Sequence, residues 1–208
     1  MKAALLAGVA SFAIASTANA LVLTDFGINV DGNFVDPAGV QNNLDDAGLG
    51  TVYVRVDSLP DVAGRFFVLG YYDFDMGEFY DDDEGVETGT PGKGESWEID
   101  EPGFTTGNLF NNFQGGFLDN TNGNVFPDDV AMGLGWTFDV WAGGYAEIWF
   151  HTSLERPDVP FYLTQFDSDS EEAVYLWSTR RVPEPGSLAL LGLGLAGLGA
   201  TRRRRRKA

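Results

Sequence analysis

Along most of the chain, apolar and polar residues alternate with a period of two. In Thr51 to Asp57, Val52, Val54 and Val56 fall on one face while Tyr53 and Arg55 fall on the other. From Gly144 to His151, Ala146, Ile148 and Phe150 alternate with Tyr145, Glu147, Trp149 and His151. Trp136, Phe138 and Val140 alternate in the same way with Thr137 and Asp139. Successive side chains of an extended chain point to opposite faces, so this pattern predicts half-buried strands. Further strand segments are Leu21 to Val30, Arg65 to Phe74, Ser96 to Asp100, Pro160 to Phe166 and Ala173 to Thr179. Turn signals separate them at Asp31-Gly32-Asn33, Asn122-Gly123-Asn124 and Ala142-Gly143-Gly144. Helical periodicity is scarce, and only Asn108 to Gln114 is expected to form a short helical turn. About eight or nine short strands with no linker or internal repeat predict an all-β fold. The expected architecture is a single antiparallel β-sandwich, jelly-roll-like, over residues 21–182.

The two ends break this pattern. Residues 1–20 read as a secretory signal peptide, with Lys2 before an apolar run and Ala18 and Ala20 as the small residues at the cleavage site. Mature protein then begins near Leu21. At the other end, Pro183, Glu184 and Pro185 precede SLALLGLGLAGLGAT (residues 187–201), which carries no charge, and then the basic run Arg202, Arg203, Arg204, Arg205, Arg206 and Lys207. A helix over 187–201 rises roughly 22 Å against a hydrocarbon core of roughly 30 Å. It therefore makes a short transmembrane helix only with snorkelling arginines and local bilayer thinning. The basic run holds its own side of the segment in the cytoplasm. The prolines keep 183–185 extended and accessible.

These three C-terminal parts, in this order, resemble the PEP-CTERM protein-sorting signal, so residues 183–208 are read as a sorting signal. That resemblance implies an exopolysaccharide-producing Gram-negative bacterium and a membrane-anchored precursor. It also implies an exosortase-type enzyme that removes the tail, with Pro183, Glu184 and Pro185 as the sorting motif. The body segments SWEIDEPGF, FLDNTNG, PDDVAMGLGWTFDV, PFYLTQFDSDS and VYLWST are similar to an uncharacterised group of such proteins, a likeness that implies no catalytic residue.

Charge narrows the partners. The 208 residues carry 31 acidic and 13 basic side chains, net −18. Residues 21–182 hold 30 of the acids and 6 of the bases, a net −24. Such a body repels phosphate backbones and anionic lipid, which excludes nucleic acid and leaves membrane contact to the ends. With no cysteine and only His151 as histidine, thiol chemistry and multi-histidine zinc sites are excluded.

The remaining candidate chemistry is acidic or aromatic. Asp73 with Asp75, Asp81 to Glu84, and Asp167 with Asp169 and Glu171 supply oxygen ligands of the kind Ca²⁺ takes. The last set is no EF-hand, because its sixth and twelfth positions are Glu172 and Ser178. Asp119 to Asn124 fails the same pattern. The competing reading is a solvated surface that keeps an exported protein soluble. Among so many carboxylates, glycosidase-like pairs arise by chance. His151 lacks a serine elbow to serve and is expected to be structural. Trp97, Trp136, Trp141, Trp149 and Trp177, with Tyr53, Tyr72, Tyr145 and Tyr175, suit either a sandwich core or a sugar-stacking face.

The expectation is an exported, exosortase-sorted surface or extracellular-matrix protein without catalytic activity or cofactor. Its partners would be signal peptidase, the exosortase and exopolysaccharide. The alternatives are a carbohydrate- or Ca²⁺-binding module of the matrix and, third, a secreted hydrolase.

Overall fold

The computed structural model describes residues 21–184 apart from 36–38, 77–82, 104–105, 125–128 and 168–171. The signal peptide, Asp169, Glu171, Pro185, the apolar segment and the basic tail lie outside the described residues. Eleven strands and one helix follow in order. They are β1 (Val22–Val30), β2 (Asn33–Val35), β3 (Gln41–Asn42), β4 (Gly50–Asp57), β5 (Gly64–Asp75), β6 (Asp83–Gly89), β7 (Glu95–Asp100), α1 (Leu109–Gly115), β8 (Ala131–Val140), β9 (Tyr145–Ser153), β10 (Phe161–Asp167) and β11 (Ala173–Arg181).

They build two sheets, ordered β2-β1-β5-β8-β7 (sheet A) and β3-β4-β9-β11-β10-β6 (sheet B), and every named strand pair is antiparallel. The expected sandwich is therefore the observed one. Its jelly-roll character lies in two nested pairs: β4 pairs with β9 in one sheet and β5 with β8 in the other. The β4–β5 and β8–β9 connections both cross between sheets at the same pole. Ser58 N–H donates to Gly144 O at 3.0 Å and Gly143 N–H donates to Leu59 O at 2.8 Å, so each crossover satisfies the other's backbone.

The sequence patterns explain most elements. In β9 the inward set Ala146, Ile148, Phe150 and Thr152 is buried and the outward set is half-exposed. The β1–β2 hairpin turns on Asp31 and Gly32 at φ 50° and 82°, the two positive values a type I′ turn requires. Between the sheets lies one core, including Ile28, Val54, Tyr72, Phe74, Trp97, Trp136, Ile148, Phe150 and Leu176. A smaller cluster covers the outer face of sheet A, where Leu109 and Phe113 of α1 pack on Leu69, Tyr71 and Ala131.

Strands β2, β3 and β6 were not anticipated. β6 reads DEGVETG, in which the sequence drew attention only to the acids of the Asp81 to Glu84 run; it is an edge strand that, among the described residues, pairs with β10 alone. The first half of β8, Ala131 to Gly135, is buried on both faces because α1 covers its outer side, so no alternation marks it.

Candidate functional site

The strands define two poles. β1 starts, β5 ends and β8 starts at the same pole as the Asp83 end of β6 and the Asp167 end of β10. β11 runs away from that pole and ends at Arg181, beside Glu147 of β9. The chain thus leaves the sandwich at the opposite pole, about 30 Å away along its nine residues.

Asp73 and Asp75 alternate onto the outer face of sheet A together with Tyr71. Asp129, just ahead of β8, joins them: carboxylate oxygens, one from each residue, all lie within 4.8 Å of one another. Asp25 stands opposite Asp73 in register, at a bulge between Leu23 and Asp25. Thr24 Oγ1 donates to the Asp73 carbonyl at 3.0 Å, which fixes that stretch of β5. The Tyr71 hydroxyl donates to Asp73 Oδ2 at 3.2 Å, while Asp73 Oδ1 is enclosed without a hydrogen-bond partner. Burial above all, and then the Asp129 carboxylate, push the Asp73 carboxyl up to about 7 against the opposing pull of the tyrosine hydrogen bond. Asp129 was missed at the sequence level. The only available signal was its place in Pro127-Asp128-Asp129 just before a buried strand.

The other calcium candidate is arranged differently. Asp167 is buried on the inner side of β10, where Gln165 Nε2 donates to Phe74 O at 2.6 Å and to Asp83 Oδ2 at 2.7 Å. These groups tie the two sheets together at the acidic pole. Two more acids of this pole are held by donors. Glu98 accepts from Asn112 Nδ2 at 2.8 Å and from Asp119 N–H at 3.1 Å. Glu101 Oε2 accepts the amides of Thr106 and Gly107 at 3.0 and 2.7 Å.

The aromatic residues divide between the two readings. Tyr72, Trp97 and Trp136 are core residues. Tyr53, Tyr145, Trp149, Tyr175 and Trp177 instead lie half-exposed on the outer face of sheet B. Neighbouring strands align them: Tyr53 meets Trp149 with ring centroids 5.5 Å apart, and His151 stacks on Trp177 at 5.1 Å. Tyr175 packs edge-on to Tyr162 at 5.8 Å, and the Arg55 guanidinium sits 3.9 Å over the Tyr145 ring. His151 Nδ1 lies 2.9 Å from Thr51 Oγ1, and burial holds its pKa below the ordinary value. At one edge of the face, Tyr53 and Trp149 border a hollow of about 500 Å³ lined also by Gln41, Asn42, Asn43 and Thr51. Rings beside amides and a hydroxyl can stack on a sugar ring and hydrogen-bond its hydroxyls.

Beyond Arg181, Pro183 is half-buried and Glu184 is exposed. Residues 181–206 match the PEP-CTERM protein-sorting motif. No curated protein and no solved structure matches the chain. Among the described residues no helix is long and apolar enough to cross a membrane. The matched motif marks an exported protein whose C-terminally anchored precursor is processed by an exosortase and sorted to the cell surface.

Proposed function

We propose that residues 21–182 are a non-catalytic surface or matrix module that contacts polysaccharide through the aromatic outer face of sheet B. The observation that carries this reading is the aligned set Tyr53, Trp149, His151, Trp177 and Tyr175, left open on a protein whose tail carries a surface-sorting motif. The cross-strand ring pairs stabilise the sheet, and their half-exposed faces also offer a surface that the C–H face of a glycan ring can cover. The net −24 body favours a neutral glycan over an acidic one. A binding role rather than hydrolysis is supported by His151, whose Nδ1 faces Thr51 and whose ring is stacked on Trp177.

The binding half is tested by retention on immobilised neutral polysaccharide. Trp149→Ala is expected to weaken retention about tenfold, equivalent to about 1.4 kcal/mol for one lost stacking ring. Its melting temperature should change little, because Trp149 is half-exposed. Equal retention of variant and wild type would remove the polysaccharide reading.

Delivery has its own test. Glu184 is exposed just past the last strand, so Glu184→Ala leaves the sandwich intact while altering the motif an exosortase reads. Intact mass measurement should then find precursor retaining residues 202–207 in the membrane fraction. A normally trimmed, released variant would mean that Glu184 is not read.

A further inference from the structure

We infer that Asp73, Asp75 and Asp129 form a calcium site at the pole opposite the sorting motif. Two features coincide there. Three carboxylates from β5 and the approach to β8 place oxygens within 4.8 Å of one another. Ca²⁺ holds its oxygens at roughly 2.3–2.6 Å, so two ligands on opposite sides of one ion stand about 5 Å apart, and this spacing suits a single ion.

The second feature is independent of the clustering. Asp73 is only 6 % exposed, and its Oδ1 is enclosed with no hydrogen-bond partner. A buried carboxylate oxygen without donor or cation is costly, and folded chains seldom leave one so. Its other oxygen accepts the Tyr71 hydroxyl at 3.2 Å, so among the described residues one hydrogen bond is all that the side chain of this buried carboxylate receives. Thr24 pins the adjacent carbonyl, and the β1 bulge alters the pairing of the neighbouring strand at this level.

The donor set selects the ion. All three ligands are carboxylates, with no imidazole or thiolate to favour zinc or copper. Asp73 is buried while Asp75 and Asp129 are half-exposed, so water completes the shell from one side. Ca²⁺ accepts such an irregular, partly hydrated shell of six to eight oxygens, whereas Mg²⁺ demands near-ideal octahedral geometry. Asp25, opposite Asp73, adds negative charge without being required as a ligand.

The test uses the full chain purified in detergent, stripped with EDTA and titrated with CaCl₂ or MgCl₂ at equal ionic strength. Calcium should bind with one-to-one calorimetric stoichiometry and raise the melting temperature with a saturable dependence; magnesium should give a smaller, unsaturated rise. Asp75→Asn and Asp129→Asn, at half-exposed positions that leave the fold intact, should each weaken calcium binding about tenfold or more. Asp73→Asn should abolish the saturable shift, and Asp167→Asn should retain it. Equal effects of the two ions on the wild type would overturn the site. So would calcium binding that persists undiminished in both Asp75→Asn and Asp129→Asn.

Discussion

Replacing Phe150 with alanine is expected to lower the unfolding free energy by about 3–5 kcal/mol. Phe150 points from β9 of sheet B into the core, fully buried, and its ring meets Tyr72 of sheet A at a centroid distance of 6.3 Å. It also fills the space above Gly70, where an added Cβ would lie 3.3 Å from the phenyl ring. A glycine has no side chain with which to collapse into the vacated volume, so the cavity persists and its full cost is felt. Domains of this size are stable by roughly 5–15 kcal/mol, and each lost kcal/mol lowers the melting temperature by about 2–4 °C. A fall of about 10 °C in calorimetry is therefore expected. Tyr72→Phe provides the contrast: it removes only a hydroxyl that is buried without a hydrogen-bond partner. That change should leave stability equal or raise it by about 1 kcal/mol. A Phe150→Ala loss below about 1 kcal/mol would mean that the two sheets are not packed through this ring.

Lowering the pH from 8 to 5 is expected to stabilise the fold through Glu98 by about 3 kcal/mol. Burial beneath α1 raises the Glu98 carboxyl from its ordinary 4.5 to about 7, outweighing the two donors that favour its anion. The neighbouring carboxylates of Asp119 and Asp100 push in the same direction as burial. The folded chain thus binds this proton more tightly than the unfolded chain between those two values. Stability accordingly falls as pH rises from about 4.5 towards 7, and the penalty is complete above 7. Glu98→Gln should match the wild type near pH 5. At pH 8 it should be more stable by about 3 kcal/mol, because the amide does not ionise and the variant escapes the loss that the wild type suffers through this carboxyl. Chemical denaturation across this range, with EDTA present so that no cation contributes at Asp73, measures the difference. Parallel profiles for the two proteins would show that Glu98 is ionised in the fold at every pH tested.

Local signals and long-range packing divided the information in this chain. The delivery signal was legible in Pro183, Glu184, Pro185 and the arginine run because its readers recognise a linear segment. The strands of β4 and β9 were equally legible, since a sheet with one covered face imposes period two on its residues. That rule fails where both faces are covered, as at Ala131 to Gly135. It also fails at an edge strand such as β6, where the buried positions are Asp83 and Gly85 and the apolar Val86 is the exposed one. Alternation also separated Tyr145, Glu147, Trp149 and His151 from Ala146, Ile148 and Phe150, yet it cannot say which aromatic set meets another sheet. Trp136 and Trp149 sit in similar alternating runs. One closes the core and the other stands on the outer face, because only the docking of the two sheets decides which side is covered. The acidic pole follows the same logic. Asp73 and Asp75 share a face by local geometry alone, but antiparallel pairing of β5 with β8 is what brings Asp129 to them across more than fifty residues. Enclosure of Asp73 Oδ1 likewise depends on groups distant in the chain, since burial is a property of the assembled sheets and not of any residue's own neighbours.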